Sequence, residues 1–467
     1  MWPQMPAKSV KETICAIATP PGSGALGVIR VSGPKALEIL SNLWRGPVPV
    51  EKFKPRTLYL GNISVFPNPQ SGPIDRVLAV FMPAPATYTG EDVVELSAHG
   101  SPVVLREILS ACVSGGARPA MPGEFTRRAF MAGKIDLAQA EGVADLIAAT
   151  GERGARLAAE QMDGRLSREV TSIGEEIASV RAEIEAAIDF PEEDVDAGGG
   201  KPVVRRVAEA LSKVDALGES FREGKLLREG VRVAIVGRPN AGKSSVMNCI
   251  AGRERAIVHH VPGTTRDVVE EKLSFGGLAF NLRDTAGLRE EAGEVEEMGI
   301  ARTLREIEEA DLVLAVVDGS LPVDEECAKM FSKLDARRTV VVLNKSDLPR
   351  ACLCEEKLAE LGFSPPLFTS AKSGDGMTEL AAELLRRANL SSSEGEGAVI
   401  TSARHKALLD EASSSLAQAR ISLEAGEPSE FCAHHMREAQ EALGKITGAV
   451  TTDDLLDRIF SRFCIGK

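Results

Sequence analysis

The segment 231–245, VRVAIVGRPNAGKSS, decides the fold of the region around it. Its apolar run Val233–Val236 predicts a buried strand, and residues 237–244 fit the phosphate-loop pattern GxxxxGK(S/T). Such glycines let backbone N–H groups curl around a polyphosphate, while the helix that follows directs its positive end at the anion. The pattern therefore predicts a nucleotide site in which Lys243 contacts the β- and γ-phosphates and the Ser244 hydroxyl binds Mg²⁺.

Residues 225–390 around this loop alternate predicted strands with predicted helices. The strands are predicted at 231–236, 279–283, 312–317 and 339–343. This alternation is typical of an α/β fold with a doubly wound, mostly parallel sheet, whose ligands bind at the carboxyl ends of the strands. We therefore expect the polar motifs that follow these strands to belong to the same nucleotide site.

Two of these motifs point to guanine. NKSD at 344–347 follows the fourth strand, and Asp347 can accept hydrogen bonds from guanine N1–H and the exocyclic amine, a pair of donors that adenine lacks. SAK at 370–372 would close over the base. The base is therefore predicted to be guanine.

Two further motifs concern the γ-phosphate and Mg²⁺. DTAG at 284–287 follows the second strand, which places Asp284 to hold Mg²⁺ through water. GTTRD at 263–267 has the position and hydroxyls of a switch segment, with Thr265 as a second Mg²⁺ ligand. The motifs together predict a GTPase whose binding residues are Asn240, Ala241, Gly242, Lys243, Ser244, Ser245, Thr264, Thr265, Asp284, Thr285, Ala286, Gly287, Asn344, Lys345, Asp347, Ser370, Ala371 and Lys372.

The group that orients the attacking water is not evident from these motifs. Leu288 follows DTAG, where a Ras-like enzyme has Gln for this purpose, so hydrolysis needs another group. The stretch REEAGEVEEM at 289–298 could supply a carboxylate. For any single one of its acids an exposed helix face is the better explanation: Glu290, Glu291, Glu294, Glu296 and Glu297.

The segments on either side of this region differ from it in composition and in the spacing of their apolar residues. Residues 1–132 combine short β-rich runs with Pro- and Gly-rich turns, which predicts a compact α+β domain. Residues 133–224 and 391–467 carry apolar residues three and four apart, which predicts amphipathic helices that need partners to be stable. The economical solution is one helical domain formed by both stretches, with the nucleotide domain of 225–390 inserted between them.

Composition narrows the class of protein. The net charge of −13 argues against a chain coated in nucleic-acid-binding surface, although it permits a local basic patch or a basic partner that contacts RNA. The eight cysteines contain no CxxC pair, which fits a reducing compartment. Neither a signal-peptide core nor an apolar run of about 18 residues is present, so we expect a cytoplasmic protein without a membrane segment.

Segments along essentially the whole chain resemble one family, the tRNA modification GTPase MnmE, also called TrmE. In chain order they are ATPPG, GVIRVSG, YTGEDVVELSAHG, MPGEFTRRAF, KIDLAQAEGVADLI, EAAIDFPEED, GRPNAGKSS, GTTRD, DTAGLRE and FCIGK. The resemblance implies an N-terminal folate-binding domain at 1–132, a split helical domain at 133–224 plus 391–467, and an inserted P-loop (Ras-like) GTPase domain at 225–390.

The resemblance also implies site residues that the patterns alone do not select. Glu296 matches the water-positioning glutamate of the family, which adds a catalytic residue beside Lys243. A 5-formyltetrahydrofolate-type donor is expected at Arg30, Glu95, Lys134 and Lys467, and K⁺ at Asn240, His259, Val261 and Thr264. His259 also joins the expected GTP-binding set. Because His259–Pro262 departs from the usual family sequence, its backbone carbonyls must serve the cation.

The partners and the reaction follow from the same resemblance. It implies a homodimer that works with an FAD-dependent partner, MnmG (GidA), to add an aminomethyl or carboxymethylaminomethyl group at C5 of the wobble uridine of certain tRNAs.

A buried structural thiol explains Cys464 at least as well as a nucleophile does. Two alternatives are a ribosome-assembly GTPase, which predicts a basic RNA-binding domain after residue 391, and a folate-dependent aminomethyl transferase with a regulatory GTPase domain.

Overall fold

The computed structural model describes residues 12–65, 72–189, 201–253, 270–284, 304–322, 324–349, 354–388 and 397–467. The chain divides into two compact units, each of which is described by itself. The first unit consists of Met1–Ala144, Gln161–Val207 and Gln418–Lys467, and the second of Asp145–Glu160 and Ala208–Ala417. The division into an N-terminal, a split helical and an inserted domain remains a prediction.

A 7-stranded sheet organises the first unit. Its strands are β1 (Ile14–Ile17), β2 (Gly24–Ser32), β3 (Trp44–Arg45), β4 (Tyr59–Ser64), β5 (Pro73–Met82), β6 (Val93–Gly100) and β7 (Arg118–Pro119). Their order in the sheet is β3-β4-β5-β6-β2-β1-β7. Because β1 and β2 pair antiparallel, the glycine-rich segment between them is an inter-strand turn.

One face of this sheet is covered by the helices α1 (Ala36–Leu43) and α2 (Pro102–Ser114). Period-two alternation along the strands explains the choice of face, since Val77 and Ala79 are buried while Leu78 between them is 38% exposed. Ile29 and Leu96 of the neighbouring strands belong to the same buried layer. The α+β prediction for this part of the chain is confirmed.

Helices from both ends of the chain complete the first unit. Their bounds are α3 (Glu124–Met131), α4 (Leu137–Ala148), α6 (Arg165–Asp189), α7 (Lys201–Glu219), α14 (Ser429–Thr447) and α15 (Asp453–Phe460), of which α4 and α7 extend into the second unit. The helices α6 and α14 pack side by side, and Gln440 of α14 accepts a hydrogen bond from Arg181 (2.6 Å) and donates one to the Gly174 carbonyl (3.2 Å). Both helices bury apolar residues, such as Ile177 in α6 and Leu443 in α14, so that stretches remote in sequence pack against each other.

A 6-stranded sheet organises the second unit. Its strands are β8 (Val231–Val236), β9 (Glu270–Phe275), β10 (Leu278–Asp284), β11 (Leu312–Asp318), β12 (Thr339–Asn344) and β13 (Leu367–Phe368), in the order β13-β12-β11-β8-β10-β9. Among the described strands of this second sheet, only the edge pair β9–β10 is antiparallel. The prediction of a doubly wound, mostly parallel sheet is confirmed, with β9 and β13 added at its edges.

Helices cover both faces of the second sheet. They are α8 (Phe221–Glu229), α9 (Lys243–Arg253), α10 (Glu325–Phe331), α11 (Cys354–Glu360) and α12 (Met377–Ala388). The second unit also contains most of α5 (Glu152–Met162) and α13 (Ala403–Ala425), which both extend into the first unit. Buried residues alternate between the two faces along β8: Val233 and Ile235 belong to one apolar cluster, and Ala234 and Val236 to the other. Such near-continuous apolar strands are typical of a sheet covered on both sides.

The helix α8 crosses the predicted boundary between the helical stretch 133–224 and the nucleotide domain 225–390. The structure ends α7 at Glu219 and places α8 directly before β8. The backbone of α8 lies so close to the segment at 400 that a Cβ atom at Gly224 would come within 2.1 Å of the Ile400 carbonyl oxygen. Among the described residues, no helix combines the length and apolar character needed to cross a membrane.

Candidate nucleotide-binding site

The phosphate loop lies between β8 and α9, as the sequence predicts. Gly237 and Gly242 have positive φ angles of 152° and 92°, and a Cβ atom at either position would lie 2.2 Å from an atom of a neighbouring strand end. Asn240 at the tip of the loop also has a positive φ, of 63°. The helix α9 begins at Lys243, so the loop leads directly into a helix N-terminus, whose amide groups favour an anion.

The side chain of Lys243 is held inside this loop. It is 6% exposed, and its ammonium donates hydrogen bonds to the carbonyls of Gly237 (3.0 Å) and Arg238 (2.8 Å). The charge-assisted hydrogen bonds to these carbonyl groups offset part of the cost of burying the ammonium. This placement agrees with the predicted phosphate contact of Lys243.

The predicted base-binding motif is joined to the phosphate loop by one side chain. Asn344, which is 2% exposed at the end of β12, donates through Nδ2 to the Ala241 carbonyl at 2.9 Å. Its Oδ1 accepts from the Ala371 N–H at 3.1 Å. Asn344 thus links three of the predicted motifs, because the carboxyl ends of parallel strands meet at one edge of the sheet.

Asp347 is exposed, as a residue that receives a base from solvent must be. Its Oδ1 accepts a hydrogen bond from the buried Ser370 hydroxyl at 2.7 Å. That hydrogen bond lowers the pKa of Asp347, and the charges of Lys372 and Lys345 lower it further. The carboxylate is therefore ionised at neutral pH and can accept from two guanine donors.

One residue near this motif was missed in the sequence. Asp318, the last residue of β11, forms an ion pair with Lys345 in which Oδ2 lies 2.6 Å from Nζ. The signal that could have found it was an acidic residue directly after the buried run LVLAVV, at the same edge of the sheet as NKSD.

Several predicted site residues lie outside the described part of the chain. These are His259, Val261, Thr264 and Thr265 of the switch segment, Thr285, Ala286 and Gly287 of DTAG, and Leu288 and Glu296. Asp284 is described as the end of β10, in register with Ile235 of β8. Ser244 and Ser245 lie in the first turn of α9. The described strand ends thus bring together the phosphate-loop and base motifs.

A second group of predicted residues lies in the first unit. Arg30 of β2 and Glu95 of β6 are cross-strand neighbours and form an ion pair of 2.7 Å, while Arg30 also donates to the Gly466 carbonyl at 3.4 Å. The Arg30 guanidinium carbon lies 5.7 Å from the ring centre of Phe125, whose N–H donates to the Lys467 carbonyl at 3.2 Å. The C-terminal residues therefore fold back beside the Arg30–Glu95 pair.

Two other residues of this group, Lys134 and Cys464, are exposed to solvent. Lys134 is exposed, and its Cε would lie 3.4 Å from a Cβ atom at Gly90. Cys464 is exposed, so that of the two alternatives left open by the sequence the buried structural thiol does not apply. The terminal segment is held by backbone groups instead, because the Gly123 N–H donates to the Cys464 carbonyl at 3.4 Å. Phe125 was not selected from the sequence, although it lies within the quoted MPGEFTRRAF segment.

A buried ionic network supports the helix α3, which carries Phe125. Glu124, only 1% exposed, accepts hydrogen bonds from Arg118 (2.7 Å) and Arg128 (2.9 Å) and from the Met121 N–H. Burial alone would raise the pKa of Glu124, but these donors outweigh it and lower the pKa. The stability that this carboxylate contributes is present above its unfolded pKa and is lost as the pH falls through its folded pKa.

Comparison with known proteins agrees with this architecture. Residues 13–134 match the family described as GTP-binding protein TrmE N-terminus, and residues 137–464 match the MnmE helical domain. The chain belongs to the MnmE family of tRNA modification GTPases. Members of this family are GTPases that act in tRNA modification, so the chain is a GTPase that binds GTP and Mg²⁺ and has tRNA as a partner.

Relatives named tRNA modification GTPase MnmE align over almost all of the chain. Those from Heliobacterium modesticaldum and Syntrophus aciditrophicus are each 42% identical over 98% of this chain and 100% of their own length. The relative from an Azoarcus species is 45% identical over 98% of both chains. Among solved structures, the G domain of the T. maritima FeoB iron transporter covers 34% of this chain and 99% of its own at 27% identity, with a TM-score of 0.26.

Proposed function

We propose that this chain is a K⁺-dependent GTPase that modifies tRNA together with an FAD-dependent flavoprotein of the MnmG (GidA) type. In this proposal the two proteins add an aminomethyl or carboxymethylaminomethyl group at C5 of the wobble uridine (U34) of certain tRNAs, and a 5-formyltetrahydrofolate-type folate supplies the carbon. The observation that carries the proposal is the network around Asn344, which joins the phosphate loop to the base-binding motif in a chain of this family.

The proposed hydrolysis uses a bound cation in place of an arginine finger. Asn240 stands at the tip of the phosphate loop with a φ of 63°, and we assign K⁺ to it together with oxygens of His259, Val261 and Thr264. A cation there would stabilise charge that develops on the transferring phosphoryl group. Glu296 would position the attacking water, since Leu288 cannot do so.

Rates of GTP hydrolysis in KCl and in NaCl at equal ionic strength test this assignment. We expect hydrolysis to be roughly tenfold or more faster in KCl, because only K⁺ completes the electrostatic environment of the transition state. Glu296→Ala should lower the rate by about a hundredfold, which is typical for loss of a residue that handles the attacking water. Glu290→Ala, a nearby acid without a proposed role, is the matched control. Equal rates in the two salts would exclude the cation site.

The folate proposal rests on the cluster formed by Arg30, Glu95, Phe125 and the C-terminal Lys467. A guanidinium beside an aromatic ring and a carboxylate suit a flat, hydrogen-bonding ring system with an acidic tail. We expect Arg30→Gln to weaken binding of 5-formyltetrahydrofolate by roughly tenfold or more, since a charge-assisted hydrogen bond is lost. Titration by fluorescence or calorimetry measures this effect. Arg76→Gln, an exposed arginine of the same sheet, should bind normally, and equal weakening in both variants would contradict the assignment.

The homodimer proposal is supported by the sheet face of the first unit that α1 and α2 do not cover. Leu60 and Leu78 are cross-strand partners there, 47% and 38% exposed, and Leu26 on the same face is 59% exposed. Exposed apolar side chains grouped on one face are typical of an interaction surface. A second copy of this chain is the proposed occupant.

Sedimentation of the purified chain tests this surface. We expect Leu78→Asp to convert a dimer to a monomer, because burying an unpaired carboxylate in an apolar interface is unfavourable. Val113→Asp is the matched control, since Val113 has the same 38% exposure but lies on α2, at the opposite face of the sheet. A Leu78→Asp variant that remains dimeric would contradict this interface.

Two competing hypotheses make different predictions. The ribosome-assembly alternative requires a basic RNA-binding domain after residue 391, whereas residues 403–460 contain the helices α13, α14 and α15, and the family assignment opposes that alternative as well. The alternative of a transferase with a purely regulatory GTPase domain predicts that modification continues without hydrolysis. Nucleoside mass analysis of tRNA incubated with GTP, folate donor, flavoprotein and the Glu296→Ala variant separates this alternative from our proposal, which expects no modified uridine.

A further inference from the structure

Asp318 contacts the base-binding motif without belonging to it. It ends β11, the strand beside β12, and its carboxylate pairs with the Lys345 ammonium at 2.6 Å. The Asp318 side chain is 14% exposed and the Lys345 side chain 33%. This ion pair is therefore partly shielded from water and stronger than one on an open surface.

The carboxylate of Asp318 is itself fixed in place. Its Oδ1 accepts hydrogen bonds from the N–H (3.0 Å) and the hydroxyl (2.6 Å) of Ser320. In addition, the N–H of Gly319 donates to the Asn344 carbonyl at 2.8 Å. The turn after β11 is thus hydrogen-bonded to the end of β12 through both backbone and side chain.

The charge state of Asp318 supports an ionic contact. Burial alone would raise its pKa, but hydrogen bonds from Lys345 and Ser320 outweigh burial and lower the pKa. The carboxylate is therefore ionised at neutral pH. The pair therefore joins a carboxylate to a lysine ammonium at hydrogen-bond distance.

The backbone at Lys345 has an unusual conformation. Its φ of 65° lies in the left-handed region, which is uncommon for residues other than glycine. A lysine side chain has four carbons and much rotational freedom, all of which must be restricted when a ligand binds against it. A partner that holds the ammonium before the nucleotide arrives removes part of that cost.

We propose that Asp318 is a positioning residue for guanine nucleotides, which holds Lys345 so that its carbon chain lies ready against the base. The proposal rests on the nucleotide site proposed above. Asp318 acts through Lys345 and not on the phosphates, so its loss weakens nucleotide binding and leaves the chemical step unchanged. A purely structural role, in which Asp318 only joins two turns, would instead lower the stability of the nucleotide-free protein.

The variant Asp318→Asn separates these two roles, because an amide oxygen can still accept from Ser320 while the charge is lost. We expect GDP to bind roughly tenfold more weakly and to dissociate faster, as for the loss of one charge-assisted hydrogen bond. KM for GTP should rise while kcat stays within about twofold, as for the loss of an interaction made equally in ground and transition states. Asp318→Glu should restore part of the affinity, and thermal unfolding of the nucleotide-free variants should match the parent.

A double-mutant cycle provides the sharper test. In a Lys345→Ala background, Asp318→Asn should change GDP affinity by less than about twofold, which is the limit expected when the contact is already absent. Ser320→Ala is the matched control, since it removes a neighbour of the carboxylate and keeps the charge. Additive losses in the double variant, or GDP affinity of Asp318→Asn within about twofold of the parent, would overturn the proposal.

A separate variant tests whether the proposed base site, on which this inference rests, is correct. Asp347→Asn is titrated in the same experiment with GDP and with xanthosine diphosphate. A gain of xanthosine diphosphate binding confirms the base site, so that a normal Asp318→Asn variant then contradicts only the positioning role. If Asp347→Asn binds both nucleotides as the parent does, the assignment of the base site and the inference built on it are both wrong.

Discussion

Replacement of Asp347 by Asn is expected to exchange the base specificity of the enzyme from guanine to xanthine. In the proposed site, the ionised carboxylate accepts from both N1–H and the exocyclic amine of guanine. Asn can accept from N1–H but presents an NH₂ group to the guanine amine, so that two donors face each other. A site built around a hydrogen bond rejects the mismatched analogue by about 10⁴, and we expect kcat/KM for GTP to fall toward that factor.

The same change creates a match for xanthine, which carries a carbonyl where guanine has the amine. Hydrolysis of XTP should therefore rise as hydrolysis of GTP falls. The Ser370 hydroxyl donates to Oδ1 of Asp347 at 2.7 Å, and an Asn side chain keeps that acceptor, so the local geometry is preserved. Steady-state kinetics with both nucleotides measure the exchange. Asp335→Asn, an exposed aspartate of the same unit, is the control, and a loss of GTP hydrolysis without any gain for XTP would contradict base recognition by Asp347.

Lys243→Ala is expected to lower kcat/KM for GTP by about a thousandfold, as for removal of a charge that stabilises the transition state of phosphoryl transfer. The reason is the placement of this ammonium, which is 6% exposed and lies inside the phosphate loop. No other cation among the described residues of the loop is held in this way: Arg238 points to Asp324, with which it forms an ion pair. Truncation therefore removes the charge that we assign to the phosphates.

Two measurements separate this effect from misfolding. The carbonyls of Gly237 and Arg238 lose their donor in the variant, so circular dichroism and thermal unfolding should be recorded beside the kinetics. Lys333→Ala, which removes an exposed lysine of the same unit, should retain parental activity. A folded Lys243→Ala enzyme with near-parental kcat/KM would contradict the assignment of this loop to the phosphates.

Local patterns predicted much of the fold and which motifs come together at the nucleotide site. The strand 231–236 and the loop after it were read correctly, because an apolar run followed by glycines and GKS has few other structural meanings. NKSD and SAK were assigned to the same site because parallel strands end at one edge, and the hydrogen bonds of Asn344 agree with this. The resemblance to one family, which the sequence comparisons confirm, was carried by segments of five to fourteen residues.

Features that depend on contacts between segments distant in sequence were harder to predict from local patterns. The edge strand β9 was not predicted, since EEKLSF carries three charged residues and only its pairing with β10 makes Leu273 and Phe275 buried. The boundary between α7 and α8 was also missed. It is set by the close approach of Gly224 to the Ile400 carbonyl, more than a hundred residues away in the chain.

The sequence by itself determined the predicted set of nucleotide-binding residues, because the chemistry of phosphate and guanine recognition demands glycines, a lysine, an asparagine and an aspartate in short fixed patterns. Only the tertiary structure decided that Asp318 holds Lys345 and that Phe125 and the C-terminal residues lie beside Arg30. Those contacts join segments that are distant in sequence, and their energy depends on distance and burial, which no local pattern encodes. The motifs thus predicted guanine specificity, whereas the contacts that hold the motif side chains in place came from the packing around them.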